Sequence, residues 1–291
     1  MVYRIVVAIA LSLATALLPP TVGAAEVKNK GLFISPLRQE TTLVAGKTKS
    51  NYFTVANLTE KPMTVNLSVK QFSVTDYAYD YEFRPPENDW VKLKDTQVLL
   101  QPNQSKKIGY DATVPAGTAP GGYYYTMFAS ADIPGPGLPS TVQATTLLYL
   151  TVDGKLVRTS VLQNDSIPFL VMGNEIPYKF DVKDIGNVYF SAYFYGQLEG
   201  LFGKQPEVGT SHLLMPGAVR TVNGIIPSPL LPGIYRVAYG YKVDFAAFVT
   251  VKTAYIIFIP PWSIAALVLL LIGGRWWWQR KHETIDEETS A

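Results

Sequence analysis

The segment "TDYAYDYEFRPPENDW", Thr75 to Trp90, holds the densest set of groups with binding chemistry in the chain. Read as a strand, it puts Tyr77, Tyr79, Tyr81 and Phe83 on one face and Asp76, Asp80 and Glu82 on the other, because strand side chains alternate with period two. Aromatic faces stack on sugar rings, and neighbouring carboxylates hydrogen-bond hydroxyls or ligate a hard cation such as Ca²⁺. The same pattern describes a half-buried strand whose rings pack on a core or a second domain while the acids face water. The sequence leaves both readings open, with Tyr77, Tyr79, Tyr81 and Trp90 as candidate contacts for a partner protein or a glycan.

Bond-making chemistry has thinner support. The chain has no cysteine and two histidines, His212 and His282. A zinc site would need His212 plus carboxylates, and no paired spacing offers them. A Ser-His-Asp set cannot be read from spacing, and no serine sits in a nucleophile turn. Paired acids make a glycosidase only about 5–10 Å apart across a cleft, which no spacing here indicates. His212, beside the "LLMPG" turn, reads as a surface or turn residue. The expectation is a non-enzyme with no cofactor and no metal.

These residues need elements to hold them, and the chain supplies strands. It has 18 tyrosines, 13 phenylalanines, 22 glycines and 21 prolines, the make-up of an all-β protein with many turns. Charged residues are 16% and the net charge is +2, too balanced to imply a nucleic-acid partner. In "MTVNLSVK", Met63, Val65, Leu67 and Val69 alternate with polar neighbours, as in a half-buried antiparallel strand. "KKIGYDATV" repeats the pattern after the turn "QPNQS". In "PGGYYYTMFAS", period two sends Tyr123, Tyr125, Met127 and Ala129 to one face and Tyr124 and Phe128 to the other, towards a neighbouring domain. The three tyrosines are therefore a strand rather than a platform. A second set of strands follows Asp153-Gly154, through "YKFDVKDI", "VYFSAYFYGQLEG" and "GIYRVAYGY". Two tandem Ig-like antiparallel β-sandwiches, at 26–153 and 154–259, are expected.

Both ends carry apolar runs. Residues 1–25 have Arg4, an apolar core and small residues before Ala25, the pattern of a signal peptide. At the other end, Pro260-Pro261 breaks the last strand and opens a helix, taken as a transmembrane span at 260–279 with a cytoplasmic tail at 280–291. Trp262 and Trp276, Trp277 and Trp278 suit the two interfaces, and Arg275, Arg280 and Lys281 mark the inner side. The expectation is a single-pass cell-membrane protein of a bacterial envelope, with its N-terminal bulk outside. Four Asn-x-Ser/Thr matches, at Asn57, Asn66, Asn103 and Asn164, are about what chance supplies.

"ISPLRQETTLVAGKTKSNYFTVANLTEKPMTVNLSVKQF" and "WVKLKDTQVLLQPNQSKKIGYDATVPAGTAPGGYYYTMFAS" resemble the N-terminal domain of WxL-interacting cell-surface proteins of Gram-positive bacteria. The likeness covers Leu32 to Val152; beyond it the plan continues, with the turns "DIGNV" and "LMPGAVR". It implies a non-catalytic protein that scaffolds surface proteins or contacts the wall. A more distant resemblance is to periplasmic pilus chaperones, which are two tandem Ig-like domains. Arg38 in "SPLRQE" sits where such chaperones keep a basic residue near the interdomain cleft. The leading expectation is binding or scaffolding of surface proteins or wall glycan. The alternatives are a tethered chaperone for surface or pilus subunits and a carbohydrate-binding module.

Overall fold

The computed structural model describes residues 31–133, 140–201, 203–243 and 249–288. The leader expected at 1–25 lies outside these residues. The first half of the chain gives β1 (Leu32–Ser35), β2 (Arg38–Leu43), β3 (Thr48–Asn57), β4 (Met63–Val74), β5 (Tyr81–Arg84), β6 (Val91–Leu93), β7 (Gln97–Leu100), β8 (Ser105–Thr113), β9 (Gly121–Ile133) and β10 (Ser140–Val152). They form one sheet in the order β1-β3-β8-β6 and a second in the order β2-β10-β9-β4-β5, with β7 also on β4. The chain crosses between the sheets at the cis Ser35–Pro36 bond. Before it, β1 runs antiparallel to β3; after it, β2 runs parallel to the end of β10.

The alternation predicted for "MTVNLSVK" is realised: Met63, Val65 and Leu67 are buried and Thr64, Asn66 and Ser68 are exposed. They meet Phe53, Leu100, Ile108, Tyr125, Met127 and Leu148 in the first core. Asn57 closes β3 inside this fold. Its amide donates to the carbonyls of Lys61 at 2.8 Å and Leu100 at 3.2 Å, and its Oδ1 accepts from Thr59 N at 2.9 Å. A buried amide needs such partners, and they account for an asparagine that is fully buried. Asn57 is a strand-end lock with no room for a glycan.

The second half gives β11 (Ser160–Ser166), β12 (Leu170–Val171), β13 (Glu175–Asp184), β14 (Phe190–Gly200), β15 (Gly203–Lys204), β16 (Val208–Leu214), β17 (Val219–Pro227), β18 (Gly233–Val243) and β19 (Val249–Phe258). One sheet runs β11-β13-β17 and the other β12-β19-β18-β14-β15, with β16 also on β14. Phe180 centres the second core, its ring centroid 5.4 Å from Tyr239 and 5.8 Å from Phe194. The two-sandwich, mostly β architecture is as expected.

The C-terminal element corrects the expectation. Helix α1 (Pro261–Glu288) starts at the predicted proline but continues through the segment taken as a cytoplasmic tail. No helix among the described residues is long and apolar enough to cross a membrane. The uninterrupted aliphatic run, Ile264–Ile272, spans about 14 Å at about 1.5 Å per residue, against about 30 Å for a bilayer core. Gly273, Gly274, Arg275 and the three tryptophans interrupt it. The single-pass localisation is therefore withdrawn, and with it the roles given to Trp262, Arg275, Trp276, Trp277, Trp278, Arg280 and Lys281 as a membrane anchor.

Phe180→Ala removes the central ring of the second core, and large-to-small changes of this kind cost about 3–5 kcal/mol. Denaturant unfolding should show this loss in the second sandwich, with the first keeping its own transition once the two separate.

Candidate functional site

Arg38, Tyr77 and Tyr79 converge at the junction of the two sandwiches, in an arrangement that alternation does not describe. Thr75 N donates to Asp80 O at 2.9 Å and Asp80 N donates to Thr75 Oγ1 at 3.0 Å, folding residues 75–80 into a knot. Tyr77 and Tyr79 adopt left-handed φ of 64° and 63°, a region costly for residues with a Cβ. The strand begins only at Tyr81, so the four rings do not share a face.

Contacts to the second sandwich hold the knot. Tyr77 N donates to Val219 O at 2.7 Å, and Val219 N donates to Asp76 Oδ1 at 2.7 Å. Met215 N donates to the Tyr79 hydroxyl, and the Arg220 guanidinium lies 4.4 Å from the Tyr79 ring centroid. Asp76 is thus committed to a backbone N–H, and among the described residues no group of three acids or histidines is placed to hold a metal. Tyr77 remains 54% exposed. Tyr81, 48% exposed, lies over Phe83 with planes 19° apart and meets Phe72 edge-on. Trp90 lies away from the junction, packed on Tyr123 at 4.6 Å between centroids.

The triple tyrosine splits as its spacing predicts. Tyr125 enters the first core and donates to Asn88 Oδ1 at 2.7 Å. Tyr124 faces the second sandwich, where its hydroxyl accepts from Tyr189 N at 2.9 Å. Around it Phe72, Tyr149 and Met215 form a small buried cluster, with Tyr189 and Leu213 against it. Burial pushes the Tyr79, Tyr124 and Tyr149 hydroxyls well above the usual tyrosine value, so all three stay neutral.

The tight turn at Gly121 explains the glycine. Gly122 N donates to Asn187 O at 2.8 Å, and Asn187 Nδ2 donates to Pro120 O at 2.9 Å and Lys155 O at 3.1 Å. A Cβ on Gly121, whose φ is 152°, would lie 2.7 Å from Asn187 O. "DIGNV" and "LMPGAVR", legible in the sequence only as turns, are the two loops that grip the first sandwich.

Arg38 lies at this junction. Its guanidinium carbon is 4.1 Å from the Tyr149 ring centroid and 5.2 Å from that of Tyr189, and it pairs with Glu40 at 2.7 Å. Stacking between rings of both domains fixes the orientation of a cation whose side chain is 39% exposed. A cleft of about 590 Å³ opens nearby, lined by Phe72, Asp76, Arg84, Tyr124 and Met215 among others.

Beyond Arg38 the second sheet has an open edge among the described strands. β2 pairs with β10 only along Leu147–Val152, whereas β9 pairs with β10 along its whole length. Ser140–Thr146 has no neighbour on its other side among the described strands. Along this open stretch Val142 and Ala144 pack partly against the first core. His212 sits elsewhere on β16. Its Nε2 lies 2.9 Å from Thr210 Oγ1, and burial, then Arg220, pulls its pKa down.

Removing Asn187 should uncouple the sandwiches. Asn187→Ala deletes two donors and the acceptor of Val157 N, at about 0.5–1.5 kcal/mol per hydrogen bond. Calorimetry should then resolve two transitions where the parent shows stronger coupling, and Gly121→Ala should do the same. An unchanged profile in both would remove this turn from the docking.

No family model and no curated protein matches the sequence, so the resemblance of Leu32–Val152 to WxL-interacting proteins is not confirmed. The solved structures that are similar include pilus chaperones. The class 5 fimbriae chaperone CfaA is 11% identical, covering 79% of this chain and 100% of that one, with a TM-score of 0.43. The YadV chaperone is 12% identical, covering 77% and 99%, at 0.39. The CsuC–CsuE chaperone–tip adhesion subunit pre-assembly complex, from archaic chaperone-usher Csu pili of Acinetobacter baumannii, is 12% identical, covering 67% and 90%, at 0.38. All three scores lie below 0.5, so the two-sandwich architecture rests on the strand order and register of this chain itself.

Proposed function

We propose that this protein is a non-catalytic, chaperone-like binding protein that holds an extended segment of a surface or pilus-type subunit by strand addition. The observation that carries the reading is the edge of β10 over Ser140–Thr146, which is open among the described strands. An unpaired strand edge offers a row of N–H and C=O groups to a matching strand, and side-chain sites beside it supply selectivity. An added strand would extend the second sheet and bring alternate apolar side chains next to Val142 and Ala144, which are only partly covered. Arg38 stands where β2 begins and the open edge ends, so a carboxylate on the bound segment would meet a cation already oriented by Tyr149 and Tyr189. Scaffolding of surface proteins would use the same contact. The domains, taken as 26–153 and 154–259, would supply the edge and the wall of the cleft respectively.

A second reading, glycan binding, is favoured by one observation: Tyr81 and Phe83 remain 48% and 40% exposed with nearly parallel rings. Tyr77, Tyr79 and Trp90 do not join them in a common platform.

Selection of displayed random peptides against the protein tests both. Strand addition predicts selected peptides of alternating apolar and polar residues that slow amide hydrogen exchange within Ser140–Thr146. For peptides ending in a free carboxylate, Arg38→Ala should weaken binding by tenfold or more. Peptides that protect Tyr81–Arg84 and leave β10 unchanged would overturn the edge. Binding of wall polysaccharide that Tyr81→Ala and Phe83→Ala abolish would put the glycan reading in its place.

A further inference from the structure

The two loops that grip the first sandwich are joined at a single buried acid. Asp184 ends β13, where the loop to Tyr189 departs. Its backbone N–H donates to Ala218 O at 3.2 Å, and its carbonyl accepts from Gly217 N at 2.9 Å, which ties in the loop from Met215 to Val219. Its carboxylate Oδ1 accepts from Gly186 N at 2.7 Å, fixing the first loop. The residue is 0% exposed and Oδ2 has no hydrogen-bond partner among the described residues. One loop carries Asn187 and Tyr189 to the first sandwich, and the other carries Met215 and Val219. A charge on an unpartnered buried oxygen is costly, whereas a neutral carboxyl at the same place costs far less.

We propose that Asp184 is a pH-operated lock on the domain junction: neutral, it lets both loops sit against the first sandwich, and ionised, it releases them. This does not depend on what fills the cleft or pairs with β10.

Burial pushes the carboxyl up to about 7 from the usual 3.8, against the opposing pull of the Gly186 N–H. The groups facing it do not remove the effect. Tyr79 and Tyr124, from the first sandwich, stay neutral; Asp76 is bonded to Val219 N; Arg220, on β17, lies over Tyr79. The position opposite on β11 is Ser160, and Lys183 precedes Asp184 on its own strand. His212, on β16, titrates below its usual 6.5. The docked state holds the Asp184 proton more tightly than a solvated, undocked state. The undocked fraction therefore rises with pH from about 4 to about 7 and is flat above that.

The absence of cysteine gives a clean probe. Met215→Cys places one thiol in the junction, where Met215 is buried, and Val237→Cys places one in the second core. Labelling rates are measured from pH 5 to pH 8 with a disulfide reagent active in acid, each thiol with and without Asp184→Asn. For the junction thiol, the rate with Asp184 divided by the rate with Asp184→Asn should rise by on the order of a hundredfold, and by at least about tenfold. This ratio cancels the titration of the thiol and of His212. A flat ratio overturns the lock. If Asp184→Asn fails to fold, the junction rate divided by the core rate in the otherwise unchanged chain must still rise with pH. An equal rise at both thiols would assign the effect to unfolding of the domain and also overturn the lock.

Discussion

A tyrosine hydroxyl taken out of water must find a partner, and Tyr124 finds its partner across a domain boundary, in the N–H of Tyr189. Much of the molecule follows from that bond. Tyr124 faces outward from β9 because Tyr125 must face the core, and strand geometry allows no other assignment. The sheet that presents Tyr124 also presents Phe72 and Tyr149, so the first sandwich offers an aromatic row in which the two tyrosines carry polar tips. The second sandwich answers with backbone N–H groups from two loops. Apolar area and hydrogen bonds are satisfied in one contact, which gives the cleft a defined wall and Arg38 a defined direction.

The sandwiches themselves were legible from alternation. β4, β8, β9 and β18 carry apolar residues at every second position, and their burial follows that pattern wherever one face meets a core. β16 has no signal in the sequence because "VGTSHLL" lacks a periodic apolar face; it forms because β14 offers it an edge. β12 and β15, at two residues each, are too short to carry a period at all. The helix start was legible from Pro260-Pro261 and its far end was not, because polar residues continue a helix as readily as they form a tail.

The site was harder to read. Tyr77 and Tyr79 sit in a stretch with the right period for a strand, yet both take left-handed backbone conformations. Hydrogen bonds to Val219 and Met215 decide the matter, and those residues lie more than a hundred positions away in the chain. A local period cannot carry that information. Asn187 and Asp184 had only the signal of a Gly-Asn turn, which is common in loops that do nothing but reverse the chain. Only resemblance to a family marks Arg38 in the sequence, and its position between Tyr149 and Tyr189 is a property of the junction.

The parallel pairing of β2 with β10 also has a mechanical side. These are nearly the first and last segments of the first sandwich, and they run side by side through six residue pairs. A force that pulls the two ends of this domain apart drags the strands past each other, loading the hydrogen bonds between them together in shear. In the second sandwich the corresponding parallel contact, β12 with β19, has two pairs. Tension along the chain would therefore meet a weak latch and a strong one in series. Under such a load the second domain would yield first, and the half that carries Arg38 would keep its shape while the other extends.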